Sequence, residues 1–353
     1  MRKCYIDNLR TMCILLLFPF HTSMIYNNWG EKFYISSSAE YLPSLFNVIV
    51  YPWWMNLLFV LAGISSYYAL TKKSSKEYLS ERIHKLLIPL LVGLVVIIPA
   101  QTYIADVFYN GYSGNYFEHY KIFFTKFTDL VGVDGGFTPG HLWFILYLFI
   151  ISLITIPFMT KYIKSKRKLP YEKINIVILM LLFIIVLVCT PILQIGKSVG
   201  EALACFALGF FILSNEKIQD RLEKNKWVLG GLFLFFMVIL VILWNLGLDK
   251  GLLFDIEYRA YLWSGILFFL GFGQAYLNRK NKVLTYLSKA SFSLYYFHQT
   301  ILIIIGYYVL KLTNVTLIQF VLIMVGSFIF SLGCYELFRR NKVTAYLFGI
   351  KCN

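Results

Sequence analysis

Charge is what this sequence has least of. Asp, Glu, Lys and Arg make up 14% of its 353 residues, while 59% are hydrophobic; soluble domains carry about 25% charged and 45–50% apolar residues. No stretch is polar enough for a separate soluble domain, so a single membrane-embedded domain over residues 1–353 is expected. Cysteine is also sparse. Cys4, Cys13, Cys189, Cys205, Cys334 and Cys352 fall in apolar segments or on the basic side of the chain, which excludes a disulfide framework or a spaced zinc site. The chain lacks a glycine-rich phosphate loop after a strand, a His-Glu-x-x-His pair and a Gly-x-Ser-x-Gly elbow. It also lacks the paired, interrupted repeats of many secondary transporters.

What is there is a series of ten apolar segments, at about 9–28, 47–70, 86–108, 141–160, 175–193, 199–214, 227–245, 258–277, 291–310 and 315–337. An all-α, polytopic membrane protein of about ten transmembrane helices follows, with 199–214 short for a full span of about 20 residues. The net charge of +15 is distributed unevenly. Of the 33 Lys and Arg residues, 26 fall at the N-terminus, in alternate loops and in the tail. That asymmetry predicts cytoplasmic termini, explains the basic balance through anionic headgroups without nucleic acid, and offers a surface for a polyanionic cosubstrate. The basic, apolar N-terminus mimics a signal peptide, but Thr22-Ser23-Met24 is a poor cleavage site, so a retained helix is expected.

The first segment places two ionisable residues 11 apart, Arg10 and His21. Three helical turns put them on nearly one face, with His21 roughly 16 Å further along, near the middle of a hydrocarbon core about 30 Å thick. An ionisable residue there marks a functional site by default, although a neutral histidine bonded to a neighbouring carbonyl is the competing reading. Further along, Ala62, Gly63, Ser65 and Ser66 permit close helix approach. Arg82 and Lys85 are three apart before Pro89, neighbours on a helix surface. Tyr116 to Val131 has amphipathic spacing, and His119 within it reads as solvated. His141 and Trp143 stand at the outer start of a helix, where interface anchoring is the alternative. Glu201 opens another helix, a position a carboxylate favours on dipole grounds alone. Glu257 and Arg259, with Asp255, form a polar outer rim of a kind that binds sugars or merely solvates a surface. His298 is a second histidine inside an apolar segment, with Tyr295 and Tyr296 beside it as bonding partners.

Together "IDNLR", the "FPFH" eleven residues on, "FVLAG" in the second segment, Arg82-x-x-Lys85, "GHLWF" and "SLYYFH" resemble the acyltransferase-3 family of integral membrane proteins. The last two strings resemble its glucan-modifying, glucan succinyltransferase-like branch. The likeness covers nearly the whole chain. The family usually has two arginines where this chain has Arg82 and Lys85, and a lysine binds phosphate as a point charge without arginine's bidentate fork.

The resemblance implies a multi-pass bacterial plasma-membrane enzyme that moves an acetyl, succinyl or similar short acyl group from cytoplasmic acyl-CoA (acetyl-CoA or succinyl-CoA) to a hydroxyl of an extracytoplasmic glycan or glycolipid. Arg82 and Lys85 would engage the acyl-CoA phosphates. His21 would be general base or transient acyl carrier, and Arg10 would hold phosphate or polarise the thioester. His141, Trp143, Glu201, Glu257, Arg259 and His298 are candidates for the acceptor side. No metal is implied. The alternative is a carrier or flippase for a lipid-linked glycan or small anion, with Arg10, His21 and His298 along a polar path.

Overall fold

A computed structural model describes residues 3–28, 31–127, 135–166 and 169–350. Every apolar segment marked in the sequence is helical. Among the described residues, six helices are individually long and apolar enough to cross a membrane: Tyr41–Leu70, Ser75–Tyr109, Gly140–Lys164, Lys226–Asn245, Lys282–Leu312 and Thr316–Phe338. A seventh is gained if Val199–Leu213 and Glu216–Lys224, bent by 98°, count as one span. Of the remaining segments, Leu252–Tyr276 is a continuous helix of 25 residues. The other two are broken, into Cys4–Leu15 with Leu17–Met24 and into Ile176–Leu181 with Phe183–Cys189.

Proline accounts for several of the irregularities. Pro19 has no N–H to return to the carbonyl of Leu15, and the first helix breaks at Leu16, five residues before His21. Pro99 likewise orphans the carbonyl of Val95. The helix is interrupted at Ile97, and the Tyr120 hydroxyl donates to the Val95 oxygen instead, at 2.9 Å. Just ahead of Pro89, residues Ile83–Leu87 form a π turn.

The chain divides into two compact units. The first comprises Met1–Cys13, Val48–Ser80 and Ile150–Thr285. Glycines bring its helices into backbone contact. A Cβ on Gly63 would fall 2.1 Å from the Phe206 carbonyl oxygen, and one on Gly209 would fall 2.3 Å from that of Val60. "FVLAG" is therefore a packing string, as small residues at helix interfaces commonly are. Phe233 lies flat on Tyr261, with ring centroids 5.0 Å apart. The second unit comprises Ile14–Asn47, Glu81–Phe149 and Tyr286–Asn353, and it holds all the imidazoles described below.

Candidate functional site: three histidines in one buried cluster

His21, His141 and His298 come from three helices and meet inside the second unit. The ring centroids of His21 and His298 are 5.1 Å apart, and those of His141 and His298 are also 5.1 Å apart. His21 is half-buried, stacked on Phe33 with Phe20 edge-on, while Phe18 packs edge-on to His298. His141 is buried and His298 is 0% exposed. The helix Leu17–Met24 supplies His21, the turn Gly140–Leu142 supplies His141, and the long helix Lys282–Leu312 supplies His298.

Hydrogen bonds assign the tautomers. A carbonyl can only accept, so His141 Nε2, 3.0 Å from the Tyr296 carbonyl, must donate. In the neutral ring its Nδ1 then accepts, and Gln101 Nε2 is the donor at 3.0 Å. Gln101 is held the right way round because its Oε1 accepts from Gln299 Nε2 and its Nε2 also donates to the Thr300 hydroxyl. Both nitrogens of His141 are thus occupied, leaving no lone pair for base chemistry or metal ligation. His298 is the opposite case. Its Nδ1 donates to the Tyr295 carbonyl at 2.6 Å, and its Nε2 has no hydrogen-bond partner among the described residues. In the neutral ring Nε2 is a bare lone pair, buried one ring away from His21. Two expectations change here. Tyr295 serves His298 through its carbonyl, while its hydroxyl donates to the His141 carbonyl at 2.5 Å. The Tyr296 hydroxyl donates to the Pro89 carbonyl. Neither phenol bonds to His298.

Gly140 sets the entry to His141. Its φ is +49°, a conformation side chains rarely adopt, and an added Cβ would meet Ile98 at 3.0 Å and the Tyr34 hydroxyl at 3.1 Å.

The other candidates have partners of their own. Arg10, in the first unit, donates to Asp7 at 2.8 Å and to the Ser65 hydroxyl at 3.0 Å. Glu201 sits in the first turn of Val199–Leu208 above the Ser198 N-cap, as its dipole preference favours. It accepts from Asn56 at 2.9 Å and Thr190 at 3.1 Å, while Arg259 Nε approaches it at 3.4 Å without hydrogen-bond alignment. Arg259 is firmly bonded to Asp255 at 2.8 Å. This cluster staples its own unit. Glu257 is only 9% exposed, and neither carboxylate oxygen has a partner among the described residues; it is a buried residue where a surface rim was expected.

Arg82 and Lys85 belong to the second unit. Arg82 caps the π turn that contains Lys85, and Lys85 pairs with Glu81 at 3.9 Å. The wider turn alters the neighbour relation that α-helical spacing predicts for Arg82 and Lys85. Trp143 makes edge contacts with Phe144 and Tyr147. In the outer loop the helix spans Tyr116–Thr125, opened by a capping box of Asn115 and Glu118. It stops short of the expected Val131, because Lys126 is extended and Phe127 forms a bridge with Phe137; residues 128–131 lie outside the described residues. His119 is buried rather than solvated, 0% exposed, enclosed by Tyr103 and Tyr112, with Nε2 3.3 Å from Asp106 Oδ2. Burial lowers its pKa, and Asp106 only partly opposes that shift.

Gln101 was not singled out by the sequence reading. Its signal was available: an amide inside the otherwise apolar stretch 86–108 needs a buried partner.

A polytopic helical membrane protein with a buried imidazole cluster defines the class, and comparison with known proteins defines the family. The profile of the acyltransferase-3 family, an acyltransferase domain, matches residues 4–336. The chain belongs to that family and is a membrane acyltransferase. It is similar to the glucans biosynthesis protein C of Salmonella paratyphi B and that of Salmonella typhimurium, each 24% identical over 99% of this chain and 95% of the relative. No solved structure matches it.

Proposed function

We propose that this acyltransferase moves a short acyl group, acetyl or succinyl, from cytoplasmic acyl-CoA to a hydroxyl of an extracytoplasmic glycan or glycolipid, and that His21 and His298 share the proton work. The observation that carries this reading is the bare Nε2 of His298, buried beside His21. In the direct route the acceptor oxygen attacks the thioester carbonyl carbon while imidazole takes the hydroxyl proton. The carbon–sulfur bond then breaks and the proton leaves with the thiol. In the two-step route a His21 nitrogen attacks the thioester carbonyl carbon, the carbon–sulfur bond breaks, and the thiolate leaves with the proton shed by the acylated imidazole. The His298 lone pair then takes the acceptor's proton as its hydroxyl attacks the acyl-imidazole and the carbon–nitrogen bond breaks, freeing His21. His141, with both nitrogens occupied, orients its neighbour. Arg10, steered by Asp7 and Ser65, would hold a phosphate of the donor, and Arg82 with Lys85 would also meet the donor's phosphates. The relatives' name, glucans biosynthesis, favours a glucan as the acceptor.

Acyl transfer, read as free thiol released in proteoliposomes, is expected to fall by roughly 10²–10⁴-fold in His298→Gln, whose amide cannot accept a proton at nitrogen. His21→Ala should lose more, because it removes both proposed routes. Near-normal transfer by an inserted, folded His21→Ala or His21→Gln variant would remove His21 from the chemistry. Arg82→Ala should raise the KM for acyl-CoA much more than that for the acceptor; equal effects would make Arg82 structural. A carrier or flippase would move its substrate without thiol release.

A further inference from the structure

A cleft of about 440 Å³ in the second unit, outside every candidate discussed above, is lined by the polar Ser36 to Ser38, Asn314, Thr316 and Gln319, by the apolar or aromatic Phe108, Tyr307 and Leu310, and by Lys311, its sole charged group among the described residues. Its volume falls within the range of about 300–1,000 Å³ usual for small-ligand sites. We infer that it is a glycan subsite, holding a sugar ring of the acceptor next to the ring whose hydroxyl reacts; this rests on the reading given under Proposed function.

Two features argue for it. The first is chemistry. Hydroxyls and side-chain amides present both donors and acceptors, which suits a polyol. An acyl chain would leave those groups unsatisfied, and a nucleotide's phosphates would find one cation. Lys311 is held 3.7 Å from the centroid of the Tyr307 ring, an arrangement that positions the ammonium as a fixed donor at the cleft wall.

The second feature is place. Tyr26 follows His21 by five residues, roughly 7–8 Å along a helix, and its hydroxyl donates at 3.1 Å to Gln319, a lining residue. From the other side, Phe33 stacks on His21 and the chain reaches Ser36 three residues later, at most about 11 Å further. Ser37 N–H donates to the Ile25 carbonyl at 2.8 Å, tying the serine run to the end of the same helix that carries His21. The cleft wall is therefore tied, through Ile25, Tyr26 and Phe33, to the same segment that carries His21.

The test uses the whole protein in proteoliposomes and two variants of exposed lining residues, Asn314→Leu and Lys311→Leu. Isothermal titration measures binding of a free glucohexaose and of a glycolipid bearing a glucose oligomer, without donor. Thiol release then gives KM and kcat with the same acceptors and with glucose disaccharide. Binding by wild type that weakens about tenfold in Asn314→Leu supports the subsite, and whichever acceptor shows the effect identifies the source as free or lipid-linked. In turnover, the rise should be confined to the acceptor KM, larger for the hexasaccharide than for the disaccharide, with donor KM and kcat retained. No binding of either acceptor by wild type, binding indifferent to both variants, or a rise in donor KM would overturn the inference. Variant-sensitive binding without thiol release would leave the subsite standing and defeat the transfer reading.

Discussion

A buried imidazole either supports or reacts, and the partner on its nitrogens tells which. His141 gives up both nitrogens, to Gln101 and to the Tyr296 carbonyl. His141→Leu should therefore lower stability by about 1–3 kcal/mol, because it leaves buried polar groups without a partner. Thermal unfolding in detergent would record the loss. His298→Gln should instead unfold near the wild-type temperature while losing turnover. His119 provides a third case. Its burial lowers the pKa while Asp106 pulls upward and Lys126 pushes downward. With the docked pKa below the free value near 6.5, the undocked loop binds protons more readily, so docking is weakened as pH falls below about 6.5. Protection factors in 116–125, with the intrinsic pH dependence of amide exchange divided out, are expected to fall between pH 7 and 5, and His119→Phe should flatten that dependence. An unchanged slope in the variant would show that another group titrates.

Among elements, helices in this chain touch where they have least side chain. Gly63 and Gly209 place two backbones in contact, so no neighbouring side chain can swing aside for an added methyl. Gly63→Ala should cost about 1–3 kcal/mol, lowering the unfolding temperature and the yield of folded protein. Gly231, with nothing within 4 Å of an added Cβ, is the control, and Gly231→Ala should be tolerated. The broken first helix has the complementary cause. Pro19 withdraws a donor from Leu15, and the second piece of the helix, Leu17–Met24, is the one that carries His21.

At the scale of the whole molecule, the uneven distribution of Lys and Arg predicts an orientation. Both termini are expected on the cytoplasmic face, so a fluorescent reporter that matures only in the cytoplasm should light at the C-terminus, and a periplasmic phosphatase fused there should stay inactive. Under the proposed reading the donor is a cytoplasmic molecule and the acceptor an external one. Vesicles with acyl-CoA on one side and glycan on the other should support transfer in one arrangement only.

The helical class and the apolar segments were legible in the residues, because hydrophobic run length acts locally along the chain, and the scarcity of ionisable groups in lipid is what singled out His21 as a candidate. So was the packing role of Gly63. The tautomers of His141 and His298, the burial of His119 and Glu257, and the coupling of Glu201 to Asn56 and Thr190 were not. Most depend on partners far along the chain, such as Tyr296 for His141 and Asn56 for Glu201; even His298, whose Nδ1 bonds a carbonyl three residues back, owes the state of its Nε2 to the packing around it. Spacing can place an imidazole in a membrane; only the folded packing of three separate helices says which of its nitrogens is left bare.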